Sequence, residues 1–405
     1  TPEFAAEPVG FTVQFKAKGI DKQGNEQTNI DVAWETDDSA IAEIDSTGLA
    51  TTIAKGKTKI SAVYTNSDDS KVTGSATLWV TGDVFVLDGN GNRLGMIDLS
   101  DDTATDDYLG ETLNGKPYGM SIIASAWGGI TTKSDFGYSV LVNLDPDGPV
   151  VGAELQSSVN HYGTEVVTFG NLLYITEPPN DDLTLINVPK EEPINAWGAG
   201  VLLLRTGAHP VDITQTNAYI VALATYGNPT IGDYQNGQYY LFEKSLNSLI
   251  AIYDVDWLNP VHIASTSVSG GEGLAVLSSG NRSNKGSRLN FWNGSWQLSD
   301  TTADLEGTWE AMDADSQGNV FVGNADAPEV AIFSISEAQW LTPPTAPLTL
   351  PAGNKVVVIK ANEDRDEFWA ANDTGQVYRC SISGQNIIHA YSFDEAFAPA
   401  NITIW

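Results

Sequence analysis

Short apolar runs, broken by Gly, Asn, Asp and Ser, make up most of the chain, and within them apolar and polar positions tend to alternate. Phe11-Thr12-Val13-Gln14-Phe15 and Ile30-Asp31-Val32-Ala33-Trp34 carry apolar side chains on every second position, the period of a half-buried strand. Long apolar stripes at helical spacing are missing, so the pattern predicts an all-β protein.

The first 80 or so residues read as one unit. After the two runs above, Ile41-Ala42-Glu43-Ile44-Asp45-Ser46-Thr47-Gly48-Leu49-Ala50 predicts strand, turn, strand. Lys57 to Tyr64 and Ser75 to Val80 complete the set, at the spacing of a small β-sandwich. The run Val32-Ala33-Trp34, Ala40-Ile41-Ala42-Glu43-Ile44, Gly48-Leu49-Ala50 and Gly56-Lys57-Thr58-Lys59-Ile60-Ser61-Ala62 resembles a bacterial Ig-like domain of group 2. The resemblance spans about residues 9 to 80 and implies a spacer or docking module rather than a chemistry. Glu35 and Thr36 stand where that family usually has two serines.

From Gly82 the pattern changes to strands that recur about every 45 residues, the period of four-stranded propeller blades. Val84 to Leu87, Leu172 to Ile175, Ala218 to Ala222, Gly273 to Leu277, Asn319 to Gly323 and Glu367 to Ala371 are the clearest of them. Residues 83–405 then hold a single β-propeller of about seven blades, with six to eight as bounds, behind an Ig-like sandwich at residues 1–82. Asp313-Ala314-Asp315-Ser316-Gln317-Gly318-Asn319-Val320-Phe321-Val322 is similar to an NHL-like repeat, at the level of a blade only. The last run, Asn401-Ile402-Thr403-Ile404, is a strand with nothing after it. A propeller has no open edge when a terminal strand completes the blade begun at the other end, so this segment is expected beside Val84 to Leu87.

Charge narrows the partners. Lys and Arg number 20 against 52 Asp and Glu, a formal net charge of −32. A phosphate backbone would be repelled, which removes nucleic acid, and an anionic membrane surface is disfavoured for the same reason. Residues 1–82 hold 12 acids and 7 bases, so most of the excess falls in the second part. Solubility in a salty medium explains such a surface as well as cation binding does. Cys380 is the only cysteine, so no disulfide forms within the chain, which is ordinary for a bacterial secreted protein. No apolar run is long enough to span a membrane. The chain begins at Thr1-Pro2-Glu3 without Met and with no visible signal peptide, as a processed product does.

Hydrolase, zinc-helix and Walker motifs are missing. Gly89-Asn90-Gly91-Asn92-Arg93-Leu94-Gly95 joins two strands and reads as a hairpin turn. Four histidines, His161, His209, His262 and His389, fall in different expected blades, with His209 and His262 nearest the channel; for each, a structural role outweighs catalysis. Three acidic turns offer oxygens to calcium: Asp88 with Asn90 and Asn92, Asp145 with Asp147, and Asp313 with Asp315. The first is the best of them, although Asp, Asn and Gly also simply make good turns.

Aromatic residues in Gly- and Asn-rich surroundings, Trp127, Trp197, Tyr226, Tyr234 and Tyr239, are the candidate ligand-binding residues, and flexible backbone such as Trp127-Gly128-Gly129 suits a loop more than a packed strand. Rings flanked by amides and carboxylates suit sugars, and packing between blades is the competing explanation. The function expected is that of a non-enzymatic, adhesin-like bacterial protein, secreted or on the cell surface. One propeller face would recognise a glycan or protein. Alternatives are a self-assembling subunit of a filament, sheath or phage particle, in which Pro2 to Val9 pairs with a neighbour, and a propeller lyase or lactonase with a channel metal.

Overall fold

Val84, Phe85, Val86 and Leu87 are all fully buried, although a strand sends successive side chains to opposite faces. Such a strand needs a partner layer on both sides. Val84 and Val86 pack with Trp369, Val377 and Ile402, whereas Phe85 and Leu87 pack with Met120, Ile130 and Val140. The same two-sided burial recurs along the chain and sets the architecture.

The computed structural model describes residues 4–404 except 9, 11, 21–25, 28–29, 82, 100, 124–126, 134–137, 145–149, 157–163, 189–196, 227–234, 270, 282–285 and 363–365. It is all-β, with one short 3-10 turn at Pro178–Asn180 and no α-helix among the described residues. Two sheets at the N-terminus form a sandwich. Phe4–Pro8, Lys71–Thr81, Gly56–Thr65 and Ala33–Thr36 make one, and Thr12–Gln14, Leu49–Thr52 and Ala42–Ile44 the other. Phe15, Ala42, Ala50, Ile60, Leu78 and Val80 fill the space between them, with Trp34 at the edge of the core. Gly48 is required there. Its φ is +84°, and a Cβ would sit 2.8 Å from the Trp34 ring. Phe4–Pro8 pairs in parallel with Thr77–Thr81 of its own chain, so within this chain the strand expected to be available to a neighbour already has a partner.

Beyond the sandwich, seven antiparallel sheets follow in order among the described residues, each with a path of four strands. We number them one to seven. The first combines Asp83–Asp88, Arg93–Asp98 and Thr103–Thr105 with the C-terminal Pro399–Ile404. Ile404 lies opposite Val84 and Ile402 opposite Val86, the pairing expected of this segment. Sheets two to seven begin with Lys116–Ile123, Val166–Phe169, Pro210–Gln215, Pro260–Val268, Trp309–Ala314 and Val356–Asn362. These six strands and Pro399–Ile404 are called inner strands below, because each neighbours the next and the C-terminal one neighbours those of both sheet two and sheet seven. Lys55 of the sandwich reaches Asp98 of sheet one at 3.1 Å.

Seven apolar cores separate consecutive sheets, and the cycle includes one between sheet seven and sheet one. Gly128 and Gly129 reflect this close stacking. They lie in the strand Trp127–Lys133, not in the loop that a Trp-Gly-Gly run suggested. A Cβ on Gly129 would come within 2.8 Å of Leu173 in sheet three.

If the C-terminal strand seals two cores at once, Ile402, 2% exposed, is a sensitive position. Ile402→Asp is expected to lower unfolding free energy by on the order of 3–5 kcal/mol, read by urea denaturation. An unchanged midpoint would mean that the strand contributes nothing to closure.

Candidate functional site

The inner strands share a repeated irregularity. Pairing register shifts by a residue near the start of each in sheets four to seven, between Pro210 and Asp212, Pro260 and His262, Trp309 and Ala311, and Val356 and Val358. A bulge of this kind re-aims the residue that follows it. Asp212 and His262 are such residues, and both line a cavity of about 600 Å³ where the seven inner strands meet. Glu165, Asp313, Lys360 and Asn401 line it too.

Most of these groups tie one inner strand to the next. Asp212 accepts the Ile263 N–H at 2.8 Å and the Ile213 N–H at 2.7 Å, and its Oδ2 lies 3.1 Å from His262 Nδ1. Asp313 repeats the device two residues further along its strand, accepting the Ala361 N–H at 2.9 Å and pairing with Lys360 at 3.1 Å. Thr214 accepts the Ser265 N–H at 3.2 Å, and the Thr403 hydroxyl donates to the Met120 carbonyl at 3.1 Å. Main-chain groups facing the cavity cannot all pair within their own sheets, and these side chains satisfy part of the remainder.

His262 is held on both sides, by Asp212 and by the backbone of Glu310. Burial lowers its proton affinity, but the hydrogen bond and charge of Asp212, the Glu310 backbone and the charge of Asp313 together outweigh that, and its pKa rises. Tied to Asp212 and to the Glu310 backbone, it is a strut between three sheets. Glu165 differs from its neighbours. Its side-chain carboxyl has one hydrogen bond among the described residues, from Asn401 Nδ2 at 3.5 Å. Burial and then the Asp212 charge push its pKa well above the usual carboxylate range, with Lys360 acting in the opposite direction.

The aromatic residues singled out from the sequence are not brought together. Trp127 packs against the core between sheets two and three, and Tyr226 against that between sheets three and four, where its hydroxyl bonds Gln238 at 2.7 Å. Tyr239 is fully buried between sheets four and five, stacked on Tyr253 with ring centroids 5.1 Å apart, so no ligand reaches it. Trp197 begins the strand Trp197–Leu203, but its side chain lies outside the described residues, as do Tyr234, His161 and the turn Asp145 to Gly148. Packing between sheets, not exposure, explains Trp127, Tyr226 and Tyr239.

The acidic turns need correction as well. Asp88 is fully buried and its carboxylate is taken by Arg93 at 2.8 Å, by the Asn90 N–H at 2.9 Å and by the Ala398 N–H at 3.0 Å. Asn90 directs its amide to the Ala396 carbonyl, and Asn92 sits at φ +53° as a turn residue. A guanidinium already occupies the place of a cation, so Asp88, Asn90 and Asn92, expected as a calcium site, are arranged here as a turn held by an ion pair. Asp315 caps its own turn by accepting the Gln317 and Asn319 N–H groups. His209 lies 3.6 Å from Asp181, and His389 packs on Tyr391; neither lines the cavity.

Three of the residues that do line it had a signal in the sequence that was missed. Pro210-Val211-Asp212-Ile213, Pro260-Val261-His262-Ile263 and Pro399-Ala400-Asn401-Ile402 are one pattern, with the polar residue at the same place. Aligning the repeats on that proline would have found Asp212, His262 and Asn401. Glu165 and Lys360 follow no proline, and only the structure brings them in.

Comparison with known proteins bears on the two parts separately. Residues 1–75 match the bacterial Ig-like domain (group 2). The Ig-like domain thus starts nearer the N-terminus than the quoted motifs alone suggested, and such domains occur in bacterial surface proteins. No helix among the described residues is long and apolar enough to cross a membrane. The chain is similar in fold to a protein from Lactobacillus plantarum seen in a crystal structure, with a TM-score of 0.60 at 10% identity over 80% of this chain and 99% of that one. At that identity the likeness concerns fold alone. No curated protein matches the chain in sequence.

A raised carboxyl pKa favours the folded state below the ordinary value of 4.5 and costs stability as pH climbs past it. Glu165→Gln is therefore expected to unfold at a higher denaturant midpoint than the parent at pH 8 and at an equal one at pH 4. Equal midpoints at both pH values would contradict a perturbed Glu165. Asp88→Ala should cost roughly 2–3 kcal/mol, the same with calcium or chelator present. A calcium-dependent loss would restore the metal reading.

Proposed function

We propose that the chain is a non-enzymatic binding protein of the bacterial cell exterior. In this reading residues 1–82 are an Ig-like spacer, and residues 83–405 are a single seven-bladed propeller that binds a small polar ligand in the cavity at its axis. The propeller reading draws on the cyclic order of inter-sheet cores and on the NHL-like segment Asp313 to Val322. The exterior location draws on the Ig-like domain. The ligand site moves from the aromatic loops to the axis, because the cavity gathers charged groups while Trp127, Tyr226 and Tyr239 are spent on packing.

The observation that carries the binding reading is Glu165, a carboxyl facing the cavity that is not committed to holding the fold. Acids and a histidine do converge here, as an acid–base enzyme requires. Yet Asp212, Asp313 and His262 are each engaged by backbone or ion-pair partners, which leaves one carboxyl rather than a working pair. One uncommitted carboxyl in a cavity of about 600 Å³, within the range of small-molecule sites, fits recognition better than turnover.

Thermal-shift screening of small polar molecules against the parent and Gln215→Trp tests this reading. Gln215 lines the cavity, and the indole is expected to abolish the shifts that hits produce with the parent. Hits that survive the indole would place binding elsewhere and remove the axial site. Self-assembly draws on Val201 and Leu203, and on Leu249 and Ile250, exposed on the outermost strands of sheets three and four. Light scattering at the monomer mass of 43.3 kDa would dispose of it.

A further inference from the structure

The cavity is one positive charge short. All five of its ionisable side chains, Glu165, Asp212, His262, Asp313 and Lys360, come from sheets three to seven in that order, and Asn401 joins them from sheet one. Sheet two contributes Met120, Ser121 and Ile122, with no charge. Asp212 is matched by His262 at 3.1 Å and Asp313 by Lys360 at 3.1 Å. Glu165 has only the Asn401 amide, at 3.5 Å. Three acids thus share two bases, and the unmatched acid is the one whose carboxyl no backbone N–H holds in place.

We propose that the cavity takes a small organic amine and that Glu165 is the counter-ion of its ammonium group. The inference rests on the axial-site reading above and deepens it by naming the ligand class. An incoming ammonium donates to a carboxylate that has free lone pairs, and it balances the cavity without disturbing the two pairs that tie the inner strands together. Walls bearing Ile122, Val167, Val358 and Ile402 suit the carbon body of such a ligand. A bare alkali or alkaline-earth ion is less well served. It needs about six or more oxygens, whereas Lys360 and His262 oppose a second positive charge, and the carboxylates of Asp212 and Asp313 are already engaged.

Glu165 gives up its proton as the ammonium arrives. The carboxyl O–H breaks, the carboxylate takes the ligand's N–H donors, and the proton goes to solvent, so about one proton is released per amine bound when the free site is protonated. Affinity then rises with pH until the free Glu165 is ionised or the amine loses its own proton. The other titratable groups lining the cavity are Asp212, His262, Asp313 and Lys360. Of these, His262 loses its charge as pH rises through its raised pKa, which removes a competing cation and acts in the same direction.

The test uses n-butylamine as probe and n-butanol as its uncharged counterpart. Calorimetry on the full chain in phosphate between pH 5 and 8 supplies affinities, and an indicator dye in weakly buffered solution supplies the proton count. The expected result is n-butylamine binding that tightens with pH, releases a proton and is blocked by Gln215→Trp, with n-butanol weaker by roughly tenfold or more. Glu165→Gln, which should fold at least as well as the parent, is expected to lose n-butylamine affinity by roughly tenfold to a hundredfold. Equal binding of the amine and the alcohol, blocked by the indole but unmoved by Glu165→Gln, would overturn the amine assignment and leave the axial site standing. Amine binding untouched by both substitutions would overturn both. An N-acetylated lysine amide that binds while n-butylamine does not would assign the ammonium to a protein side chain and overturn the small-molecule form.

Discussion

Packing of each of the seven sheets beyond the sandwich against two others is the constraint on which the remainder of the structure depends. A strand such as Val84 to Leu87 is apolar on both faces and would expose one of them in any two-layer arrangement. Placing Val84 and Val86 against sheet seven and Phe85 and Leu87 against sheet two removes both faces from water. Repeated around the chain, this yields cores whose sequence returns to its start. The closing contact is made by residues from opposite ends of the second part, with Val86 opposite Ile402. No sheet has a buried apolar face of its own to fall back on, so the sheets are expected to gain stability together rather than one by one.

Closure has a consequence at the centre. Inner strands from different sheets lie side by side there without a shared ladder, and their outward N–H and C=O groups need partners. Side chains supply them: Asp212 to Ile263, Asp313 to Ala361, Thr214 to Ser265 and Thr403 to Met120. Buried acids used this way require nearby positive charge, and His262 and Lys360 provide it. Most of the polar character of the axis is accounted for by the needs of the fold. Glu165 is the residue that this explanation does not absorb, which is the reason for assigning function to it.

Much of the architecture was legible in the sequence because burial leaves a period. The Ig-like motifs from Val32 to Ala62, the strand at Asn319 to Gly323 and the C-terminal strand could all be read from alternation and turn residues. Trp127-Gly128-Gly129 misled, since glycine signals either a flexible loop or a close approach, and only the position of Leu173 distinguishes the two. The site was much less legible. Tyr239 in a Gly- and Asn-rich stretch looks like a surface ring until Tyr253 and Trp292 are seen against it. Asp88 looks like a calcium ligand until Arg93 and Ala398, the latter 310 residues away, are seen to take its oxygens. Glu165 and Lys360 are separated by most of the second part, and no local pattern connects them.

The axial site depends on Glu165 being a cavity carboxyl without a cation. The most direct measurement is a carbon-13 NMR titration of its side-chain carboxyl in the full chain, assigned by the signal lost in Glu165→Gln. The account predicts a midpoint well above 4.5 in the free protein, moving down when n-butylamine is added. A midpoint at the ordinary value, unmoved by the amine, would mean that Glu165 is solvated or already matched, and the axial site would lose the residue that defines it.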